Sequence, residues 1–449
     1  MQKLKLFLYL FFYTTLSFSQ SGIYSMIGGG TTFFLDKIVV DSIDNKAYLS
    51  GSFTKVGGNF NAKYIAIWNT NHWDSIHHLP HLKDSVYYFQ QIDNDFYGLG
   101  KNLVKLNRIN GNWDLIARFN GGGCSTICKY QNKLFIGGNF DTINNIPYKF
   151  YNRALYDGSN FLPIGTNSMT PEVSTAVEYQ GKLYIGGGMA DYMGGFSALA
   201  VWDGSNWSQV GNHMNGIAYG VSKLVIYKNK LIIAGVFNKT NNAIGNTIFC
   251  YDGINFDTLG GGLNSSYETI TEMFEYKGKL IITGMHNNDA YLPGSSFICP
   301  AFISFDGNDF CAYTNYTNVG SGFESGAVYN DTLIFATPKK IGQDSVAYFA
   351  KYMGDFTPIY CVNVVGIKEI LSEYNSISIY PNPTNSILNI TDEFNQLQNS
   401  TISIKNNLGQ IICINSFTPQ INMHDFSAGI YFLTIQNGYD KKTVKIIKQ

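Results

Sequence analysis

Four of the seven histidines crowd into residues 72–81, as His72, His77, His78 and His81. Imidazoles this close are a plausible nest for zinc, copper or nickel, and His77, His78 and His81 are the weak metal candidate of the chain. No evident carboxylate or thiol partner accompanies them, and a solvated loop accounts for them as well, so neither a metal nor a cofactor is expected. Three carboxylates, Glu172, Glu268 and Glu324, stand at entrances to the repeats described below, but at different registers that make no shared acid/base ring. The patterns HExxH, GxSxG, GxxxxGK[ST] and the EF-hand loop are all missing. No catalytic residue is therefore assigned. The seven cysteines, Cys124, Cys128, Cys250, Cys299, Cys311, Cys361 and Cys413, are an odd set without a CxxC spacing. Cys299 with Cys311 is the first candidate for a disulfide, because the two flank one strand, and buried free thiols are the reading weighed slightly above it.

The elements that must position such groups are repeats. In Lys182 to Gly211 a short apolar strand ends at Gly186-Gly187, a second runs over Leu199 to Trp202, and Asp203-Gly204 predicts a two-residue turn with both residues at positive φ before Trp207. A strand from Ala176 to Tyr179 turns at Gln180-Gly181 into the first of these, so one unit holds four antiparallel strands. The first turn recurs as Asp44-Asn45, Asp93-Asn94, Gln131-Asn132, Gln180-Gly181, Lys228-Asn229, Lys277-Gly278 and Asn330-Asp331. The strand after each turn closes at Gly51, Gly100, Gly138, Gly187, Gly235, Gly284 and Thr337, spaced by 49, 38, 49, 48, 49 and 53 residues. Four-stranded repeats of that length predict β-propeller blades, seven of them over residues 21–363.

The aromatics opening the outer strands, Trp73, Trp113, Phe161, Trp207, Phe256, Phe310 and Phe356, are expected as wedges between blades, and the glycine pairs as points of close backbone approach. Tyr24 to Gly30 repeats the end of a later unit, Phe256 to Gly262, so the amino-terminal strand is expected to complete the last blade. A further outer strand, expected around Phe356 in the last repeat, leaves the closing arrangement open. Tight first-to-second and third-to-fourth turns share one face of such a ring. The other face carries the longer loops, where recognition commonly sits. Its aromatic and basic residues Tyr148, Phe150, Tyr151, Arg153, Tyr192, Phe196 and Tyr291 are the candidate ligand contacts.

Residues 1–20, with Lys3 and Lys5 before the apolar run Leu6 to Tyr13, read as a secretory signal peptide. The run is too short to span a bilayer, which needs about 20 apolar residues, and no membrane span is expected after its removal. A net charge of -1 with 14% charged residues offers no basic patch, which argues against nucleic acid. After a linker over 364–375 the repeat does not return, and short alternating strands over 376–449 suggest a small Ig-like β-sandwich.

Two resemblances follow from these residues. The repeats resemble kelch-type blades, and still more the "YIGG-F … VWDG-W-LG" repeats of exported bacterial propellers and of a fungal cell-polarity surface protein. The carboxy-terminal segment resembles the type A C-terminal sorting domain of the type IX secretion system. The motifs that carry this are Tyr380-Pro381-Asn382-Pro383-Thr384 leading into Leu388-Asn389-Ile390, then Leu408-Gly409, Gly429-Ile430-Tyr431 and the closing Lys442-Thr443-Val444-Lys445-Ile446-Ile447-Lys448. That resemblance implies Sec export and passage across the outer membrane of a Bacteroidota-type bacterium, with Pro381, Asn382, Pro383, Gly429, Tyr431, Lys442, Lys445 and Lys448 as the sorting signal read by the secretion machinery. The expectation is an all-β chain, a seven-bladed β-propeller followed by a sorting sandwich, secreted or held at the cell surface. It is expected to act as a non-catalytic binding module for glycan or protein. The alternatives are a polysaccharide hydrolase or lyase on the propeller, or a structural adhesin.

Overall fold

The computed structural model describes residues 23–362 and 377–449, apart from 75–85, 147, 166–171, 189–198, 211–219, 237–246, 260–262, 264–269, 285–301, 315–321, 343, 393–399, 408 and 438–439. Strands, turns and loops make up these residues, with no helix among them. They divide into two units, one up to Val364 and one from Val365 on. The signal peptide and the linker predicted over 364–375 lie outside the described residues.

In the first unit seven inner strands, Leu35–Asp41, Val86–Ile92, Gly123–Tyr130, Val173–Tyr179, Gly220–Tyr227, Ile270–Tyr276 and Ser325–Tyr329, each begin a sheet of four or five strands among the described residues. Consecutive inner strands touch one another, and the last touches the first. The sheets are therefore blades of a closed ring, numbered 1 to 7 in this order. Closure is made by Tyr24–Met26, which pairs antiparallel with Phe349–Tyr352 as the outer strand of blade 7.

The outer strand expected around Phe356 is absent from that blade. Phe356 sits in a turn at φ 60, its ring stacked 4.5 Å from that of Tyr313. Beyond it the chain lays Tyr360–Val362 along the outer edge of blade 6, opposite Phe310–Ala312, and there Cys361 faces Cys311 and bonds to it. This corrects the expected Cys299–Cys311 pair. The strap that carries Cys361 to the blade edge belongs to no repeat, so repeat spacing does not reveal it. Cys124, Cys128 and Cys250 are buried thiols, and burial pushes the first two well up in pKa.

Each pair of neighbouring blades encloses one hydrophobic cluster. Val173, Ile185 and Trp207 of blade 4 meet Tyr130 and Phe135 of blade 3, and Phe89 and Trp113 of blade 2 meet Tyr48 of blade 1. The repeated indoles also hold backbone. Trp207 donates its N–H to the Ile164 carbonyl at 2.9 Å, and Trp73 donates to Gly28 at 2.7 Å. A Cβ on Gly165, at φ +76, would lie 2.6 Å from the Trp207 ring. In the glycine pairs the approach is between backbones: a Cβ on Gly187 would stand 1.7 Å from the Glu172 carbonyl, opposite the bulge between Val173 and Thr175.

The tight-turn face is stitched by the last residue of the inner strands. The hydroxyls of Tyr179, Tyr227 and Tyr276 donate to the turn carbonyls of the following blades, at Asn229, Gly278 and Asp331, each at 2.8 Å. In blade 1 that position is the buried Asp41. Arg108 of blade 2 grips it at 2.8 and 2.9 Å and donates its Nε to the Asn94 carbonyl at 3.0 Å, rebuilding the same link with an ion pair. Gln131-Asn132, Lys228-Asn229 and Asn330-Asp331 take positive φ at both residues, as two-residue hairpins require. Asp203-Gly204 does not. Only Gly204 is at positive φ, and the loop is the four residues Asp203 to Asn206, closed by the Asp203 carboxylate accepting from the amides of Ser205 at 2.8 Å and Asn206 at 2.7 Å.

The second unit is a sandwich of a three-stranded and a four-stranded sheet. Leu388 and Ile390 from one sheet pack on Ile402, Ile404, Leu433, Ile435 and Ile446 from the other.

Three outcomes test this packing. Trp207→Ala should lower the unfolding free energy by about 3–5 kcal/mol, read by denaturant titration. Non-reducing peptide mapping should recover a Cys311–Cys361 linkage and no Cys299–Cys311 one. The loop amides that hold Asp157, Asp203 and Asp252, Asn160, Asn206 and Asn255 foremost, keep these carboxyls below their ordinary 3.8. A carboxyl depressed in the fold adds stability above its unfolded pKa and loses it as pH falls through the folded one. Acid titration of stability should therefore show a decline below 3.8 that Asp203→Asn makes shallower.

Candidate ligand-binding face

Three described loops that bind one another stand together on the face opposite the tight turns. Residues 27–34 lead from the outer strand of blade 7 into blade 1. The amide of Thr31 donates to Ala347 at 2.8 Å, that of Thr32 to Lys55 at 3.0 Å, and those of Gly57 and Ser52 to Gly30 and Phe34 at 2.9 Å. Two small ribbons, Lys55–Val56 with Phe60–Asn61 and Lys340–Ile341 with Asp344–Ser345, stiffen the same loops. Backbone so tied is a firm mount.

On it stands a group of rings, two of them exposed and the third, Tyr348, half-buried. Phe33 and Phe34 are 49% and 41% exposed, with centroids 4.8 Å apart. Tyr348 lies 5.0 Å from Phe34 and 6.2 Å from Phe33. Tyr348 at φ 69 and Tyr64 at φ 70 hold a left-handed backbone that non-glycine residues adopt at a cost of about 1–3 kcal/mol, and Tyr151 at φ 50 shares it. All three precede the third strand of their blade. Tyr64 is 44% exposed, with the Lys63 ammonium 4.7 Å over its ring.

Inside the ring, near the same face, three charges meet across the channel. The Lys37 ammonium pairs with Glu272, and Lys223 contacts the other oxygen of that carboxylate at 3.0 Å. On blade 2 the Tyr88 phenol is pushed up by burial and then by the Asp36 and Glu172 carboxylates.

The expected contact residues are distributed differently. Phe150 is buried in the cluster between blades 2 and 3. Arg153 is 1% exposed, donating to the carbonyls of Ile164 at 3.0 Å and Tyr151 at 3.2 Å with its guanidinium over Trp207, and burial pulls its pKa down to about 10. Both are packing residues, drawn inward by the interblade core, and this corrects their assignment as ligand contacts. Tyr148 stays 38% exposed, edge-on to Phe150. Tyr192, Phe196, Tyr291, Glu268, His77, His78 and His81 lie outside the described residues. Among the described residues His72 pairs with Asp74 at 3.1 Å, and no three metal-binding side chains converge. Phe33, Phe34, Tyr64 and Tyr348 escaped the sequence reading. A tyrosine just ahead of the third strand in three repeats, Tyr64, Tyr151 and Tyr348, was the signal that could have found two of them.

In the second unit the sorting motifs at its two ends come together. Asn382, between cis bonds at Tyr380-Pro381 and Asn382-Pro383, donates to the Lys445 carbonyl at 2.7 Å and accepts from the Ile447 amide at 2.9 Å. Thr384 donates its amide to Ile447 at 2.9 Å and accepts from Gln449 at 3.0 Å. Gly429 pairs with Lys448 and Tyr431 with Ile446, so Pro381 to Thr384 clasp the terminal strand on one side while Gly429 to Tyr431 hold it on the other. Lys442 pairs with Ile435 in the same ladder. The Tyr431 hydroxyl donates to Ser427 at 2.9 Å.

No curated protein matches the chain. Among solved structures it is similar to the extracellular domains of BT3049 and BT4673 from B. thetaiotaomicron, at 11% and 9% identity and a TM-score of 0.48 for each. The matches cover 95% and 93% of this chain, which spans 57% of the length of either. It is also similar to the β-propeller domain of the Trilobed protease from Pyrococcus furiosus, at 10% identity and TM-score 0.44, over 73% of this chain and 97% of that one. Among the described residues no helix is long and apolar enough to cross a membrane.

Asn382→Ala removes two hydrogen bonds to the terminal strand at once. At about 0.5–1.5 kcal/mol each it should destabilise the sandwich by about 1–3 kcal/mol, with faster amide exchange at Ile447 as the local readout. The clasp joins motifs that belong together, for residues 378–449 match the secretion system C-terminal sorting domain, and the chain is an export substrate of the type IX machinery, secreted or held at the cell surface.

Proposed function

We propose that the propeller is the exported cargo and works as a carbohydrate-binding module through the face bearing Phe33, Phe34, Tyr64 and Tyr348. The observation that carries this reading is the ring group of exposed Phe33 and Phe34 with half-buried Tyr348, on loops fixed by backbone hydrogen bonds. Rings with open faces bury well against the C–H faces of sugars, and their rigid mounting limits the ordering cost of binding. Solvent-exposed aromatics on a soluble surface otherwise lower solubility, and left-handed tyrosines persist where surrounding structure holds them to a purpose. The sorting sandwich serves delivery, and binding rests on the propeller.

A glycan and polysaccharide array probed with the full chain tests the reading. Saturable binding is expected, with no oligosaccharide released on long incubation. The double variant Phe34→Ala with Tyr348→Ala should lose at least tenfold in affinity, about 1.4 kcal/mol, with its thermal midpoint little changed because both rings are partly exposed. Released oligosaccharide would instead show a hydrolase or lyase, and undiminished binding by the double variant would remove these rings from the site.

A further inference from the structure

The charge cluster in the channel is unbalanced. Lys37 comes from blade 1, Lys223 from blade 5 and Glu272 from blade 6, so the contact spans the centre of the ring. Side-chain exposures of 19%, 28% and 13% place all three largely out of water. One carboxylate serves two lysines whose side chains also touch each other, so that with both protonated one positive charge is left over, and among the described residues no second carboxylate pairs with either lysine. Asp36 does not fill that place: burial raises its carboxyl, and neither lysine draws it down. A largely desolvated ammonium without its own counter-ion is costly. Burial foremost, and then the Lys223 ammonium, weaken the hold of Lys37 on its proton, a condition that an incoming anion relieves. Lys37 is the third residue of its strand, and that strand begins directly after Phe33 and Phe34. The charge therefore lies toward the face that carries the exposed rings.

We infer that Lys37 and Lys223, in contact with each other and sharing Glu272, form a subsite for an oxyanion of an acidic glycan whose sugar rings rest on Phe33, Phe34 and Tyr348. This rests on the carbohydrate reading and narrows it to acidic polysaccharide. The anion takes the open side of the two lysines and supplies the counter-charge that Glu272 alone does not.

Calorimetric titration of the full chain with oligogalacturonate, with its methyl ester and with a sulfated galactan oligomer tests the inference. Wild type should prefer the acid to the ester by tenfold or more, and the sulfated arm shows whether carboxylate or sulfate is the better fit. Lys223→Met should reduce acid binding to the level of the ester. Glu272→Gln, close to isosteric, removes the carboxylate that competes for the two lysines and should tighten acid binding several-fold. Circular dichroism checks that both variants fold, and Glu272→Gln carries the test if Lys223→Met does not. Equal binding of acid and ester, failure of wild type to bind either acidic probe, or an unchanged preference in Glu272→Gln would overturn the inference. Loss of the preference in the lysine variant with full retention in Phe34→Ala/Tyr348→Ala would keep the anion subsite and remove the ring platform.

Discussion

Closure of the ring at blades 7 and 1 is the constraint on which the rest depends. Each blade buries both faces only against neighbours, so seven clusters are complete only if the last interface forms. That interface is assembled from the two ends of the unit: Ile27, Leu35 and Trp68 pack with Ile334, Ala336 and Phe349. The outer strand Tyr24–Met26 spares blade 7 an open edge. Polar links follow the same circuit. The Ile38 amide donates to Ser325 Oγ and the Leu224 amide to Thr175 Oγ1, each at 3.1 Å, and Gln90 exchanges bonds with the Ile127 backbone at 2.7 and 3.2 Å, in every case from one inner strand to the next.

Closure also divides labour between the two faces. On the turn face tyrosine hydroxyls, the Asp41–Arg108 pair and the aspartate-closed loops spend their polar groups on holding blades together. A ligand there would compete with the fold. The loop face has the reverse character, with rings exposed, tyrosines in strained backbone and an incomplete ion cluster behind them. The stability of the first face permits the exposure of the second.

Much of this was legible in the sequence wherever a residue repeats for a packing reason. Gly186-Gly187, Trp207 and the Gln180-Gly181 turn recur because each blade solves the same steric problem, and the periodicity displays it. Tyr380 to Thr384 and the final lysine-rich strand were likewise readable as one export motif, although their mutual clasp needs the fold. What escaped does not repeat. The strap bearing Cys361 occurs once, and no spacing relates it to Cys311. Arg153 looks like a surface cation by type, yet its carbonyl partners and Trp207 make its burial tolerable. Lys37, Lys223 and Glu272 lie up to 235 residues apart and converge only because the ring brings blades 1, 5 and 6 around one channel. Asp203-Gly204 shows a subtler miss, because a side-chain acceptor lengthened a loop that backbone preference alone would have made shorter.

Oxidative footprinting of the full chain, with and without saturating acidic polysaccharide, tests most directly the claim that the loop face is the binding face. The account predicts protection of Phe33, Phe34, Tyr64 and Tyr348, with unchanged labelling of turn-face residues such as Ile43 and Ile254, which are 52% and 64% exposed. Protection of Ile43 and Ile254, with the four loop-face rings labelled as before, would contradict it.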